Sequence, residues 1–404
     1  MGGMKYCTLF LVAMAACTAA AAAQAHHAVK QARASVATTT TVPFKLSANH
    51  IFVRGTVDGK TFAFVFDTAG GASLTQSARK ALGLAAIGQA EIPGIGNAPE
   101  MMDIVQPKVA SIGDATVKDG YFIVLPSDMG IVSPFEGVPL GGVLGREFFA
   151  GLPVTIDYTN DTLTFTNPAS FHPDPGANGL PITMRDGIFP NVRASVDGAT
   201  GSFDLDAGSA SSLMLSQSFA SANGIEAKMP RTANVVAGRG VGGAISGVAG
   251  RVATFSLGDV SIPDVVAYIT NATGGAMATP GLAGNIGGEI LRRFTVTIDV
   301  PDKMVYLAKN ATFGEPFAFS RTGLSLDAVD GKVVVAHVIA DSPAQAAGVH
   351  EGDVLVAIDG KSTASLSSDE LKASSLQAPG TVVRIEIRRD GKPLSFALKL
   401  RDLL

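Results

Sequence analysis

Tryptophan is absent from the 404 residues, and cysteine occurs only at Cys7 and Cys17. Both cysteines lie near the start, so the rest of the chain carries no disulfide, thiolate metal site or cysteine nucleophile. Charge is sparse: 16% of residues are Asp, Glu, Lys or Arg, and the net charge is -4. No basic stripe exists to neutralise phosphates, which excludes nucleic acid as a partner. The six histidines (His26, His27, His50, His172, His337 and His350) show no metal-ligand spacing and read as solvated or packing side chains. No metal and no cofactor is expected. The glycine-rich run Gly238 to Gly243 lacks the Lys-Ser/Thr of a phosphate loop, and no Gly-x-Ser-x-Gly elbow supports a serine hydrolase. Long hydrophobic runs are missing too. Tyr6 to Ala16, behind Lys5, is too short to span a bilayer comfortably, and nothing later reads as a transmembrane helix.

That short run reads as an export signal over residues 1–25, with Ala23-Gln24-Ala25 as a small-x-small cleavage site before His26. Met14-Ala15-Ala16-Cys17 also loosely matches a lipoprotein cleavage box, in which Cys17 would carry lipid. Residues 26–43 read as a low-complexity linker. The expected location is the periplasm or cell envelope, either free or lipid-tethered.

Glycine is abundant at 46 residues and apolar residues make up 47%, a composition of many turns and short strands. Within it lies a duplication. VRGTVDGKTFAFVFDTAGGASL (Val53 to Leu74) aligns without a gap on VRASVDGATGSFDLDAGSASSL (Val192 to Leu213), with ten of 22 positions identical. GVLGREFFAGLPVTIDY (Gly142 to Tyr158) aligns on GNIGGEILRRFTVTIDV (Gly284 to Val300), with seven of 17 identical. Asp67 to Gly145 is 78 residues and Asp206 to Gly287 is 81, so both blocks keep their order and spacing. Asp58-Gly59 and Asp197-Gly198 predict tight hairpins, and Thr75 to Leu84 predicts a short helix closed by Gly83. Further hairpins are expected over Val154 to Phe165 and Val296 to Leu307, with Asp157 and Asp299 as structural residues before their turns.

Asp67-Thr68-Ala69-Gly70 and Asp206-Ala207-Gly208-Ser209 each follow a hydrophobic strand, and Leu144-Gly145 and Ile286-Gly287 follow later. With these motifs, residues 44 to 312 resemble the duplicated, retropepsin-type aspartic protease family. The resemblance implies two homologous β-rich lobes, 44–168 and 169–313, that each supply one catalytic aspartate, Asp67 and Asp206. Two such carboxylates in hydrogen-bonding contact share one proton and titrate as a pair. The ionised member can deprotonate a water while the protonated one polarises a scissile carbonyl. The dyad would be supported by Thr68, Ala69, Gly70, Ala207, Gly208, Ser209, Gly145 and Gly287. Two departures stand out. Ala69 replaces the third-position glycine in lobe one. Ala207 replaces a Thr or Ser whose hydroxyl bonds across the lobes, so that interlock should be incomplete. Ser209 could bond a carboxylate instead. Gly94, Ile95 and Gly96, with Gly240, Val241 and Gly242, are expected at the tips of two flap hairpins.

From about residue 314 the character changes. Gly323-Leu324-Ser325-Leu326, the strand Val333 to Val338, Ser342-Pro343-Ala344-Gln345-Ala346-Ala347-Gly348, Gly352-Asp353-Val354-Leu355 and Ile358-Asp359-Gly360-Lys361 come in the order of a bacterial PDZ domain. That resemblance implies an α+β domain over 314–404. Backbone N–H groups of Gly323, Leu324, Ser325 and Leu326 would capture a protein C-terminal carboxylate while the peptide adds a strand. The same domain could instead serve only intramolecular packing.

The whole reads as a mainly β, monomeric, exported aspartic endopeptidase. A polypeptide substrate would lie between the lobes, and protein C-termini would be recruited by the PDZ domain. The rival reading, motivated by Ala69 and Ala207, is an inactive protease-like peptide-binding scaffold.

Overall fold

The computed structural model describes residues 32–126, 133–187, 189–329 and 331–404. The export signal, its cleavage site, Cys7 and Cys17 lie outside the described residues. What is described is mainly β: two similar lobes followed by a smaller C-terminal α+β domain with its own sheet.

The repeated aspartates of the hairpins act locally. Asp58 and Gly59 both take positive φ (46° and 81°), as do Asp197 and Gly198 (47° and 83°). This is the backbone that a two-residue turn needs to match strand twist. Val57 then pairs with Lys60, and Val196 with Ala199. Each Asp side chain also accepts a neighbouring strand's N–H, Val109 for Asp58 and Thr254 for Asp197. The helix Gln76–Leu82 starts at Thr75, whose hydroxyl accepts the Ala78 N–H, and ends at left-handed Gly83.

A six-stranded antiparallel sheet joins the lobes, in the order Thr39–Ser47, Thr162–Thr166, Val154–Asp157, Phe294–Asp299, Met304–Lys309, Asn178–Arg185. At its centre the two copies of Val-Thr-Ile-Asp pair with each other, Thr155 opposite Thr297, their hydroxyls 2.8 Å apart. The duplicated segment is therefore also the seam. Phe66, Phe148 and Phe165 pack edge-on in the core beneath it. Asp157 accepts the N–H groups of Thr159 and Asn160, and Asp299 that of Asp302, both closing turns.

The expected linker over 26–43 needs correction across residues 32–43; residues 26–31 lie outside the described residues. Ala34 and Val36 are buried in lobe one, Ser35 bridges Thr116, and Thr39 to Pro43 pair with Thr162 to Thr166. Small residues such as Ala and Thr resemble a tether in composition. Here they form an edge strand that buries Thr40 and leaves Thr39, Thr41 and Pro43 exposed.

The PDZ domain has its own core, including Val335, Leu355, Ile385, Ile387 and Leu398. Strand Leu324–Val329 pairs with Lys332–Val338 and, among the described residues, with no other strand. Its helix Ser368–Ser375 opens with a capping box between Ser367 and Glu370.

Candidate active site

Each aspartate sits where a strand ends at a turn. Asp67 follows Lys60–Phe66, and its N–H donates to Leu144 O at 3.0 Å. Asp206 closes Ala199–Asp206. A second strand runs parallel beside each: Leu140–Leu144 in lobe one and Gly284–Gly287 in lobe two. Gly145 and Gly287 pass so close beneath the turns that a Cβ would lie 2.2 Å from Gly70 O or Ser211 O respectively. Only glycine fits there.

Asp67 and Asp206 meet across the lobe interface, close enough that each acts on the protonation of the other. Both are pushed above the ordinary carboxylate range, chiefly by burial. Asp206 is raised further, by the Asp67 charge and then by Asp204. Both residues are half-buried. Ala69 N–H donates to Asp67 Oδ1 at 2.7 Å, and Ser209 N–H to Asp206 Oδ1 at 2.9 Å. Gly208 lies against Asp67, where a Cβ would come 2.3 Å from Cγ, and Gly70 would put one 2.5 Å from Oδ2.

The interlock is one-sided. Buried Thr68 donates its hydroxyl to Leu205 O at 2.7 Å and accepts Ala207 N–H at 2.8 Å. Ala207, fully buried, has no hydroxyl to return the bond. The Ser209 hydroxyl contacts Ser211 Oγ at 2.8 Å, so Ser209 reaches the carboxylate through its backbone and not its side chain.

The two glycine-rich tips come together. Gly96 N–H donates to Val241 O at 2.9 Å, and Gly242 N–H to Glu100 Oε1 at 2.8 Å. Ile95 reaches into lobe two beside Met214, Ile245, Met277 and Leu282. Gly238 faces it, and a Cβ there would lie 2.7 Å from Ile95 Cδ1. Gly240 ends the strand Thr232–Gly240, which places Gly240, Val241 and Gly242 at the turn into Gly243–Leu257.

Sequence reasoning missed three contributors. Asn285 donates its amide to Asp206 Oδ2. His50, read as a solvated or packing histidine, places Nδ1 2.9 Å from Gly208 O, and burial holds its pKa below the usual value. Asn49 donates to Ala210 O at 3.1 Å and to Glu289. The Asn285 signal lay in the repeat itself, where GVLG in one copy stands against GNIG in the other. Nothing local marks His50 or Asn49, because their partners are over 150 residues away.

In the PDZ domain, Gly323 takes φ +79° and packs against Ser342, and Ile339 N–H donates to its carbonyl. Leu324 N–H donates to Thr322 Oγ1 at 3.2 Å. Leu324, Ser325 and Leu326 start the edge strand, with a bulge after Ser325. Arg321 ties the loop to the end of the helix through Ser375, Leu376 and Gln377 carbonyls. Among the described residues, no group of three or more His, Cys, Asp or Glu could hold a metal ion, and no helix is long and apolar enough to cross a membrane.

The aspartyl protease family model matches residues 53–148 and again 192–289, and the PDZ domain model matches residues 320–400. None of the curated proteins searched matches the chain. Among solved structures, the chain is similar to the aspartic proteinase from Irpex lacteus, at 14% identity and a TM-score of 0.43, over 69% of this chain and 99% of that one.

Proposed function

Since this chain is built of two aspartyl protease segments and a C-terminal PDZ domain, we propose that it is an exported endopeptidase hydrolysing peptide bonds with Asp67 and Asp206 as one shared-proton dyad. The observation that carries this reading is the approach of the two aspartates, one from each lobe: Asp67 lies against Gly208 in the Asp206 turn, and its charge acts on Asp206. The ionised member of the pair acts as base: it takes a proton from a water as the water oxygen adds to the carbonyl carbon. The protonated member gives its proton to the carbonyl oxygen. The tetrahedral gem-diol then collapses: the first aspartate passes the water's proton to the amine nitrogen, a diol hydroxyl returns a proton to the second, and the C–N bond breaks, restoring the singly protonated pair. The chemistry needs neither metal nor nucleophilic side chain.

The flap tips supply closure. With Ile95 seated in lobe two, an extended peptide beneath the tips is shielded from bulk water. The PDZ edge strand and its glycine loop suit capture of a protein C-terminus. The signal-like leader supports export. Both aspartates come from one chain, so a monomer suffices.

Purified protein should cleave members of an unbiased peptide mixture. Because burial raises both carboxylates, the active, singly protonated dyad should persist above the ordinary carboxylate range, with activity lost as pH rises through the upper apparent pKa of the pair. Asp67→Asn and Asp206→Asn should each reduce cleavage at least about a thousandfold. Folded wild-type protein that cleaves nothing between acid and neutral pH would instead support a peptide-binding scaffold.

A further inference from the structure

The lobes are copies, but one face of them is not. In lobe one, Phe52, Ala63 and Val65 are buried with Phe135, and Val143 packs against them. The matching positions in lobe two are Asn191, Ser202, Asp204 and Asn285. Leu140, which packs on the same cluster, matches Leu282, but four apolar members of the set have become polar. These residues are bonded together: Asn191 Nδ2 donates to Asp204 Oδ1 at 2.9 Å, and the Ser202 hydroxyl donates to Asn191 Oδ1. Arg185 Nε lies 3.1 Å from both Asp204 oxygens, and its Nη2 bonds Oδ2. Asp204 is 4% exposed. Burying an ion pair where a packed apolar cluster would serve brings little stability, so its place needs another account.

The inlay ends at the dyad. Asp204 and Asp206 are two residues apart on one strand and share a face. Asn285 sits opposite Asp204 in parallel register and donates Nδ2 to Asp206 Oδ2. Its Oδ1 is buried without a hydrogen-bond partner among the described residues, so the bond to Asp206 is what holds the amide. Lobe one offers nothing equivalent, because Val143 and Val65 carry neither donor nor charge.

We propose that this inlay, present in lobe two alone, makes the two aspartates unequal: Asn285 positions the Asp206 carboxyl through a bond to one oxygen, and the buried Asp204 beside it opposes that bond, so that the proton affinity of Asp206, unlike that of Asp67, is set from within its own lobe. The proposal deepens the endopeptidase reading and rests on it for the catalytic consequence. The electrostatics concern the folded protein alone. The charged and titratable groups around Asp206 are Asp67 across the interface, Asp204 with its partner Arg185, and Tyr158 from lobe one. His50 stands behind Gly208. Asp204 and Asn285 act in opposite senses. A nearby negative charge favours the protonated form of Asp206, and a donated hydrogen bond favours its carboxylate.

The test is a carboxyl-carbon NMR titration of intact protein labelled at aspartate, alongside Asp204→Asn and Asn285→Val, the latter introducing lobe one's residue. Asp204→Asn should lower the upper apparent pKa of the pair by about one unit, and Asn285→Val should raise it by about one unit. If Asp204→Asn does not fold, the pair Asp204→Asn with Arg185→Met should show the same fall. Shifts in the same direction, or an unmoved titration in both variants, would overturn the proposal. Where wild-type protein cleaves peptide, Asn285→Val should lower kcat about tenfold at unchanged KM and move the alkaline limb upward. Wild-type protein that cleaves nothing sinks the endopeptidase reading, whereas the titration still decides the inlay.

Discussion

Glu147 shows what a single buried group does to this fold. It follows Gly145-Arg146 in the first copy, while its counterpart Glu289 follows Gly287-Gly288 in the second. Glu289 meets Arg292, Arg293 and Asn49. Glu147 is fully buried and accepts the Ala72 N–H at 2.8 Å, and burial pushes its pKa up to about 7. Between the ordinary value of 4.5 and about 7, the folded chain therefore holds a proton that the unfolded chain has released. Stability present at low pH is lost as pH rises through that window, by roughly 3 kcal/mol. Glu147→Gln keeps the acceptor to Ala72 and removes the titration. Its denaturation midpoint should fall less than the wild-type midpoint from pH 4.5 to 7.5. The raised dyad contributes the same slope to both proteins and cancels in the comparison. Parallel curves would show that Glu147 is not the group responsible.

At the scale of elements, the two glycine-rich tips are held by a few specific contacts. Gly96 N–H donates to Val241 O and Gly242 N–H to the Glu100 carboxylate, Gly94 O and Asn97 Oδ1 accept N–H groups of residues 273–276, and Ile95 is the apolar anchor. Close backbone approach explains the glycines: a Cβ at Gly94 or Gly96 would fall 2.2 or 1.8 Å from the Val241 or Gly242 carbonyl oxygen. Removing the Ile95 side chain should cost on the order of 2–3 kcal/mol of closure. Ile95→Ala should then raise KM at least several-fold and speed amide exchange at Gly96 and Gly242, with the melting temperature nearly unchanged. Equal exchange in both proteins would mean that the backbone bonds alone hold the lid.

On the scale of the whole molecule, the PDZ domain is fastened to both lobes. Asp369, in the first turn of its helix, accepts Ser47 Oγ at 2.9 Å and Ala48 N–H at 2.8 Å. Lys372 lies 3.9 Å from Glu289. The edge strand's Asp327 pairs with Arg239 at 2.7 Å, beside the lobe-two flap tip, and His337 meets Asn234 O. Ala48 and Asn49 both take positive φ, a conformation that alanine disfavours by about 1 kcal/mol. The bonds from Asp369 help hold that turn, whose next residues, Asn49 and His50, touch the dyad loop at Ala210 and Gly208. Asp369→Ala should therefore raise amide exchange at Ala48 by about tenfold and loosen the turn beside the dyad. Unchanged exchange there would mean that the turn stands without the PDZ domain.

Much of this was open to reading from the residues. Periodic patterns and turn chemistry are local, so the Asp-Gly hairpins, the Thr75-capped helix, the duplication and the order of the PDZ motifs were legible in one dimension. A repeat also carries long-range information: two copies of one strand-turn motif imply a pseudo-twofold axis, and hence that Asp67 and Asp206 face each other. Ala207 announced by its missing hydroxyl that the Thr68 interlock is one-sided. Composition misled at residues 34 to 43, where Ala and Thr suit a tether and an edge strand equally, and only packing distinguishes them. Tertiary structure alone decided that Asn285 reaches Asp206, that His50 and Asn49 brace the dyad loop, that the Ser209 hydroxyl turns to Ser211, and that the PDZ helix rests on the 47–50 turn. Each of these is a contact between side chains or turns far apart in sequence, set by how strands register and lobes dock. A linear pattern encodes which face a residue takes, but not which distant group it meets there.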